Sequence, residues 1–162
     1  LLTRPIGTGI LMAGHMAGEA SGRDVAAAIE MMSTPQGDVA AKLAAHATAM
    51  TDVTGFGLAG HAWRIARASG LSITLDATKV PLLNGALELA ETGLRSTIWA
   101  DNVAAVPGAV PTSPQEDLMF DPQTSGGFLC TLPADKADVA AADTGAVIIG
   151  TCSGSDTPAL RF

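Results

Sequence analysis

The sequence has no tyrosine, and its four phenylalanines and two tryptophans make up 4 % of 162 residues. An aromatic core is therefore excluded. The 48 % hydrophobic content comes mainly from Ala, Val, Leu and Ile, which suits Ala-rich helices packed on a sheet, and it excludes a disordered chain. Charge is scarce too. Nine basic residues stand against sixteen acidic ones, for a net charge of −7. No basic stripe with interleaved aromatics is present, so nucleic acid is not an expected partner. There are two cysteines, Cys130 and Cys152, with no CxxC spacing and no nearby histidine. Zinc is not indicated; buried structural thiols in a reducing cytoplasm fit. No apolar run reaches transmembrane length. The apolar Leu1–Met12 stretch is broken by Arg4 and Pro5 and lacks the charged start of a signal peptide.

Strand-like and helix-like patterns alternate along the chain. Residues 6–12 read as a first strand, with Gly7 and Gly9 permitting close backbone approach, and residues 14–22 as a small-residue loop. A helix is expected over 24–32, with Val25, Ile29 and Met32 on one face. A second should start with Thr34 as N-cap and Pro35 in its first turn and run to about Ala47. Residues 49–53 form a short strand. A helix from Leu58 follows, closed by Gly70, and then a half-buried strand over 71–75. Residues 81–92 read as helix, and 95–114 as a long loop with a short helical piece. Strand 128–132, helix 133–142 and a last strand 146–151 complete the pattern. Residues 1–152 are expected to form one domain, followed by a polar, frayed tail at 153–162. The class is α/β (α+β), a layered mixed sheet with helices.

Two stretches carry chemistry. Thr51-Asp52-Val53-Thr54-Gly55-Phe56-Gly57 sets a carboxylate at the end of an apolar run, before two glycines and a helix start. A carboxylate there can hold Mg²⁺, which takes oxygen ligands and is bound by one or two carboxylates plus substrate phosphates. It can equally cap the helix that follows. Thr54, Gly55 and Gly57 read either as a phosphate-facing turn or as a tight strand-to-helix connection; this is neither a P-loop nor a dinucleotide fingerprint. Asp121-Pro122-Gln123-Thr124-Ser125-Gly126-Gly127 is a polar loop entering a strand, and the hydroxyls of Thr124 and Ser125 suit phosphate or a partner domain. His61, one turn into the helix, reads as a proton shuttle or as a packed, hydrogen-bonded residue. His15 and His46 have no partner at metal spacing. No nucleophile–base pair stands out, so no catalytic residue is assigned.

These two stretches, in this order and with Leu58, Gly60 and His61, resemble the selenophosphate synthetase (selenide, water dikinase) family. Leu2-Thr3-Arg4-Pro5-Ile6-Gly7-Thr8-Gly9 is similar to the family's Thr-Lys-Pro-Leu-Gly-Thr-Gly. Pro81-Leu82-Leu83, Gly85-Ala86, Gly93-Leu94-Arg95-Ser96-Thr97 and Asp101-Asn102 also fit. The resemblance implies a C-terminal domain of the aminoimidazole ribonucleotide synthetase-like superfamily, partly ferredoxin-like, whose N-terminal ATP-binding domain is absent from this chain. It implies ATP as substrate, Mg²⁺ as cofactor, and conversion of ATP, selenide and water to selenophosphate, AMP and phosphate. By position, Asp52 would be a Mg²⁺ ligand. Thr51, Thr54, Gly55 and Gly57, with Thr124 and Ser125, would face the nucleotide, and the 121–127 loop would face the interdomain cleft. The family's catalytic Cys or selenocysteine and its Lys lie upstream; Cys130 and Cys152 do not match them. The fragment alone is expected to be inactive, with the missing domain as its partner and a homodimer as the parent. Arg4 departs from the family's Lys, and the Gly14–Gly22 stretch is unusually rich in small residues. Other superfamily members, such as a purine-pathway synthetase or a hydrogenase-maturation dehydratase, and a non-catalytic nucleotide-sensing domain are the alternatives.

Overall fold

The computed structural model describes all 162 residues, Leu1–Phe162. Eight helices and five strands follow in the order α1 (Thr8–Ala17), α2 (Gly22–Ser33), α3 (Gly37–Ala44), β1 (Ala49–Asp52), α4 (Gly57–Ser69), β2 (Leu71–Leu75), α5 (Ala86–Glu91), α6 (Trp99–Ala104), α7 (Pro114–Leu118), β3 (Phe128–Thr131), α8 (Ala134–Thr144), β4 (Gly150–Gly154) and β5 (Ala159–Arg161). The layered α/β class holds, with the sheet divided in two. β1 and β3 pair antiparallel, with Asp52 opposite Phe128. β2 lies between β4, antiparallel, and β5, parallel. Leu2 bridges to both Leu129 and Val147. The main core is aliphatic. It joins Ile10 and Leu11 of α1, Leu58, Ala62 and Ile65 of α4, Ile73 and Leu75 of β2, and the fully buried Leu118, Met119 and Phe120.

Several expectations are corrected. Residues 6–12 are not a strand: Ile6 makes one isolated bridge to Leu82, and α1 begins at Thr8 and runs through Ala17, into the expected loop. Its cap is supplied from far along the chain, as described below. Thr34 does not open a helix. Its hydroxyl donates back to Glu30 O at 2.9 Å, finishing α2, and α3 starts only at Gly37. On α2 the buried face carries Val25 and Ala28, while Ile29 stays half exposed. The helix expected over 81–92 shrinks to α5, because Leu82 bridges Ile6 and Gly85 takes a left-handed φ of 81°. Beyond the loop expected over 95–114, where no element is expected, residues 114–118 form α7, capped by Ser113, whose Oγ accepts from Glu116 N–H at 3.2 Å.

The strand expected over 146–151 is β4, shifted to Gly150–Gly154. The tail is not frayed. Ala159–Arg161 pairs with Ser72–Thr74, and the Phe162 ring meets Phe120 edge-on at 5.6 Å. A strand of three residues offers too short a pattern to be seen in sequence.

The better-read elements frame the site. β1 stops at Asp52, α4 starts at Gly57, and Gly70 closes α4 at φ 63° with its N–H donating to Ala66 O. No helix is long and apolar enough to cross a membrane.

Candidate functional site

The turn between β1 and α4 is fixed on every side but one. Val53 N–H donates to Gly127 O at 2.8 Å. Thr54 O accepts from Gly57 N–H and from Gln123 N–H, both at 3.0 Å. Asn102, buried on α6, donates from Nδ2 to Gly55 O at 2.8 Å and to Phe120 O at 2.9 Å. His61 Nε2 accepts Thr54 N–H at 3.1 Å and lies 3.2 Å from Thr54 Oγ1. This assigns His61 the neutral tautomer with the proton on Nδ1, and the role of a local cap. The remaining side of the turn is the Asp52 carboxylate. It is exposed and makes no hydrogen bond or ion pair.

Burial, the leading cause, lowers the His61 pKa below its usual value; Asp52 acts against this and Arg64 with it. A depressed histidine pKa contributes stability that is full above about pH 6.5 and is lost as pH falls through the folded-state value. His61→Ala is therefore expected to cost about 1–3 kcal/mol at pH 8 by orphaning Thr54 N–H, and less at acid pH. Urea unfolding at the two pH values checks this, and an equal loss at both would contradict it.

The second stretch does two jobs. Gly7, at the N-cap of α1, provides no side chain to cap it. Gln123 Oε1 does so instead, accepting from Gly7 N–H at 3.0 Å and from Thr8 N–H and Thr8 Oγ1 at 3.1 Å. Asp121 Oδ2 accepts from Gly9 N–H at 3.0 Å and from Gln123 Nε2 at 3.1 Å. Asp121 and Gln123 are buried, so this half of the loop faces the helix and not a cleft. Burial is the main cause that raises the Asp121 carboxyl to about 7; Ile10 N–H, Gln123, Gly9 N–H and Ser96 pull it back. Its Oδ1 and the Ser96 Oγ are nonetheless both without a hydrogen-bond partner.

The other half turns outward. Ser125 takes φ 49°, the only non-glycine with a left-handed backbone. Its carbonyl accepts from Arg4 Nη1 at 3.0 Å, and its hydroxyl donates to Met32 O at 2.9 Å. Gly126 packs directly against the Val53 carbonyl, and its own carbonyl accepts from Gln36 Nε2 at 3.0 Å. A polar cleft of about 410 Å³ results, with Asp52, Thr54, Ser125, Arg4 and Gln36 among its walls.

Of the residues named from sequence, Asp52, Thr54 and Ser125 meet in this cleft. Thr51, Gly55, Gly57 and Thr124 do not line it. Gly57 takes φ 70° against the Met119 and Phe120 backbone, and its N–H is spent on Thr54 O. Thr124 N–H is spent on Thr8 Oγ1. Arg4, Gln36, Asn102 and Gln123 are the residues that sequence reasoning missed as parts of the site. Arg4 had two signals, a guanidinium within an apolar stretch of a charge-poor chain and its place at the Lys of the resembled family's motif. Of the two thiols expected to be buried, Cys130 is and Cys152 is exposed; both line a separate apolar cavity with Leu1 and Ile149, and desolvation raises both their pKa values. They are far from thiolate character.

Whether Mg²⁺ fits can be judged from the donors. The cleft offers one unpaired carboxylate and hydroxyl oxygens, all hard donors of the kind the ion takes. No three His, Cys, Asp or Glu side chains gather anywhere to hold a metal by themselves. These donors fit Mg²⁺ held through a single carboxylate.

Selenide, water dikinase of Caldanaerobacter subterraneus subsp. tengcongensis is 36% identical to this chain over 143 residues, covering 85% of the chain and 42% of that protein. The protein of the same name from Treponema denticola is 37% identical over 149 residues, covering 87% and 41%. The chain thus spans about two fifths of the length of the curated relatives it matches. In fold it is similar to the crystal structure of the hydrogenase maturation protein HypE, with a TM-score of 0.69 at 20% identity, over 94% of this chain and 43% of that one. Residues 1–161 match the family model described as AIR synthase related protein, C-terminal domain, and the chain belongs to that family.

Proposed function

We propose that this chain is the C-terminal domain of an ATP-dependent selenophosphate synthetase, converting ATP, selenide and water to selenophosphate, AMP and phosphate. The observation that carries the reading is the partner-free Asp52 carboxylate in a polar cleft, within a chain 36% identical to a selenide, water dikinase. Asp52 presents its oxygens from the rigid end of β1, where neither a lysine nor a helix N–H competes for them. His61 fixes Thr54 beside it, and Arg4 fixes Ser125 across from it. Bound Mg²⁺ would neutralise phosphate charge, the main demand of phosphoryl transfer. The chain's own share is positioning: it holds one ligand and closes one wall over MgATP. A preceding ATP-binding domain supplies the other donors, and the parent is a homodimer. By itself the chain is expected to show no turnover, since the catalytic Cys or selenocysteine and Lys that the resemblance implies have no match among its residues.

Anaerobic ³¹P NMR of the full-length protein with Mg²⁺, ATP and selenide tests this, comparing wild type with Asp52→Asn. Selenium-coupled phosphorus should appear with AMP and phosphate in wild type and fall by about 100-fold or more in the variant. The melting temperature should barely move, because Asp52 has no partner to lose. An undiminished signal in the variant would remove Asp52 as a ligand. Silence from an ATP-binding wild type would overturn the reaction.

A further inference from the structure

Arg4 is the one buried basic side chain among the nine, at 8% exposure. The half-buried Arg95 pairs with Asp117, but no carboxylate pairs with Arg4. A charge withdrawn from water without a counter-ion is expensive, and proteins rarely keep one without a use. Backbone carbonyls offset part of that cost. Nη1 donates to Ser125 O at 3.0 Å and approaches Ser125 Oγ at 3.5 Å, and Nη2 donates to Thr34 O. These bonds tie the 124–126 loop to the end of α2. They use one edge of a group that has five N–H donors, and nothing accepts from Nε–H.

Arg4 lines the same cleft as Asp52, and the two do not pair. Asp52 is held at the end of β1, and Arg4 by its carbonyls. A cleft that keeps an anion and a cation apart complements a ligand that carries both signs in the opposite sense.

We infer that Arg4 is the phosphate receptor of this cleft, donating to a phosphate oxygen of a polyphosphate whose divalent cation faces Asp52. The inference rests on the proposed reading of the cleft as a MgATP site and adds a residue that grips the anion. Fastening the Ser125 loop is the competing, purely structural role.

The test uses the full-length protein and MgATP as probe. Calorimetry gives Kd and steady-state assays give KM and kcat for wild type, Arg4→Gln and Arg4→Lys. Loss of a charge-assisted hydrogen bond in Arg4→Gln should weaken MgATP by about 10- to 100-fold, with KM rising alongside and kcat changing less. Arg4→Lys should recover much of that, since it restores the cation though not the fork. Unchanged Kd in a folded Arg4→Gln, whatever its melting temperature, overturns the inference and leaves Arg4 a fastener. Should Arg4→Gln fail to fold, ¹⁵N NMR of the Arg4 Nε–H in wild type decides: a shift on adding MgATP supports the receptor role, and none overturns it. A wild type that binds no MgATP at all would instead bring down the reading of the cleft.

Discussion

Gly126→Ala and Gly57→Ala are each expected to destabilise the fold by about 3–5 kcal/mol, whereas Gly55→Ala, in the same turn, should change it by less than about 0.5 kcal/mol. A Cβ on Gly126 would lie 2.1 Å from Val53 O and 3.1 Å from Val53 C. Those are backbone atoms, so no rotamer change relieves the clash. Val53 sits between Asp52 and Thr54, and moving it moves both. At Gly57 two costs combine. The φ of 70° costs an L side chain about 1–2 kcal/mol, and its Cβ would meet Met119 O and Phe120 C at 2.8 Å. Gly55 has neither problem, with nothing within 4 Å and no positive φ. Urea unfolding of the three variants beside wild type measures the order. A Gly126→Ala protein within 1 kcal/mol of wild type would show that the packing of this loop on Val53 is slack.

Asp121→Asn should make stability less dependent on pH. In the folded chain the Asp121 pKa is raised to about 7, against 3.8 for a freely solvated aspartate. The sign follows from the raised value. The contribution is full below about pH 3.8 and is lost as pH rises through 7, because the unfolded chain ionises freely while the folded one must bury the charge. At 1.36 kcal/mol per pH unit the swing is about 4 kcal/mol. Asparagine keeps an oxygen for Gly9 N–H and Gln123, and its amide gives the unpartnered Ser96 Oγ a donor to accept from. The variant should therefore match wild type near pH 4 and exceed it by about 2–4 kcal/mol at pH 8. Parallel pH–stability curves for the two proteins would refute a buried, proton-holding Asp121.

Local patterns showed much of the frame. β1, β2, β3 and α4 with its Gly70 cap lie close to where alternation, helical spacing and a closing glycine put them. Asp52 at a strand end was legible for the same reason. α1 was not. Its buried Ile10, Leu11 and Gly14, beside Gly7 and Gly9, look like a buried strand over so short a run, and its cap comes from residues 121–123. Pairing β5 with β2 likewise depends on partners more than 80 positions apart. Within the site, both motifs were visible but their division of labour was not. Spacing cannot tell that Asp121 turns inward while Ser125 turns outward, or that Gly57 spends its N–H inside the turn. Arg4 and Gln36 enter the cleft only through tertiary packing.

The cap on α1 also constrains the order in which the molecule assembles. Gly7, Thr8 and Gly9 wait for acceptors 112 to 116 residues downstream, and Arg4 for a carbonyl 121 residues away. A ribosome adding residues at about 5–20 per second leaves the first segment without these partners for roughly 5–20 s. A ten-residue helix is marginal alone in water, so the start of the chain stays unstructured until the 121–127 loop is made. Contacts of such long sequence separation also close late in refolding. The Arg4–Ser125 wall of the cleft is therefore among the last parts of this fold to take shape, although its two halves are synthesised 121 residues apart.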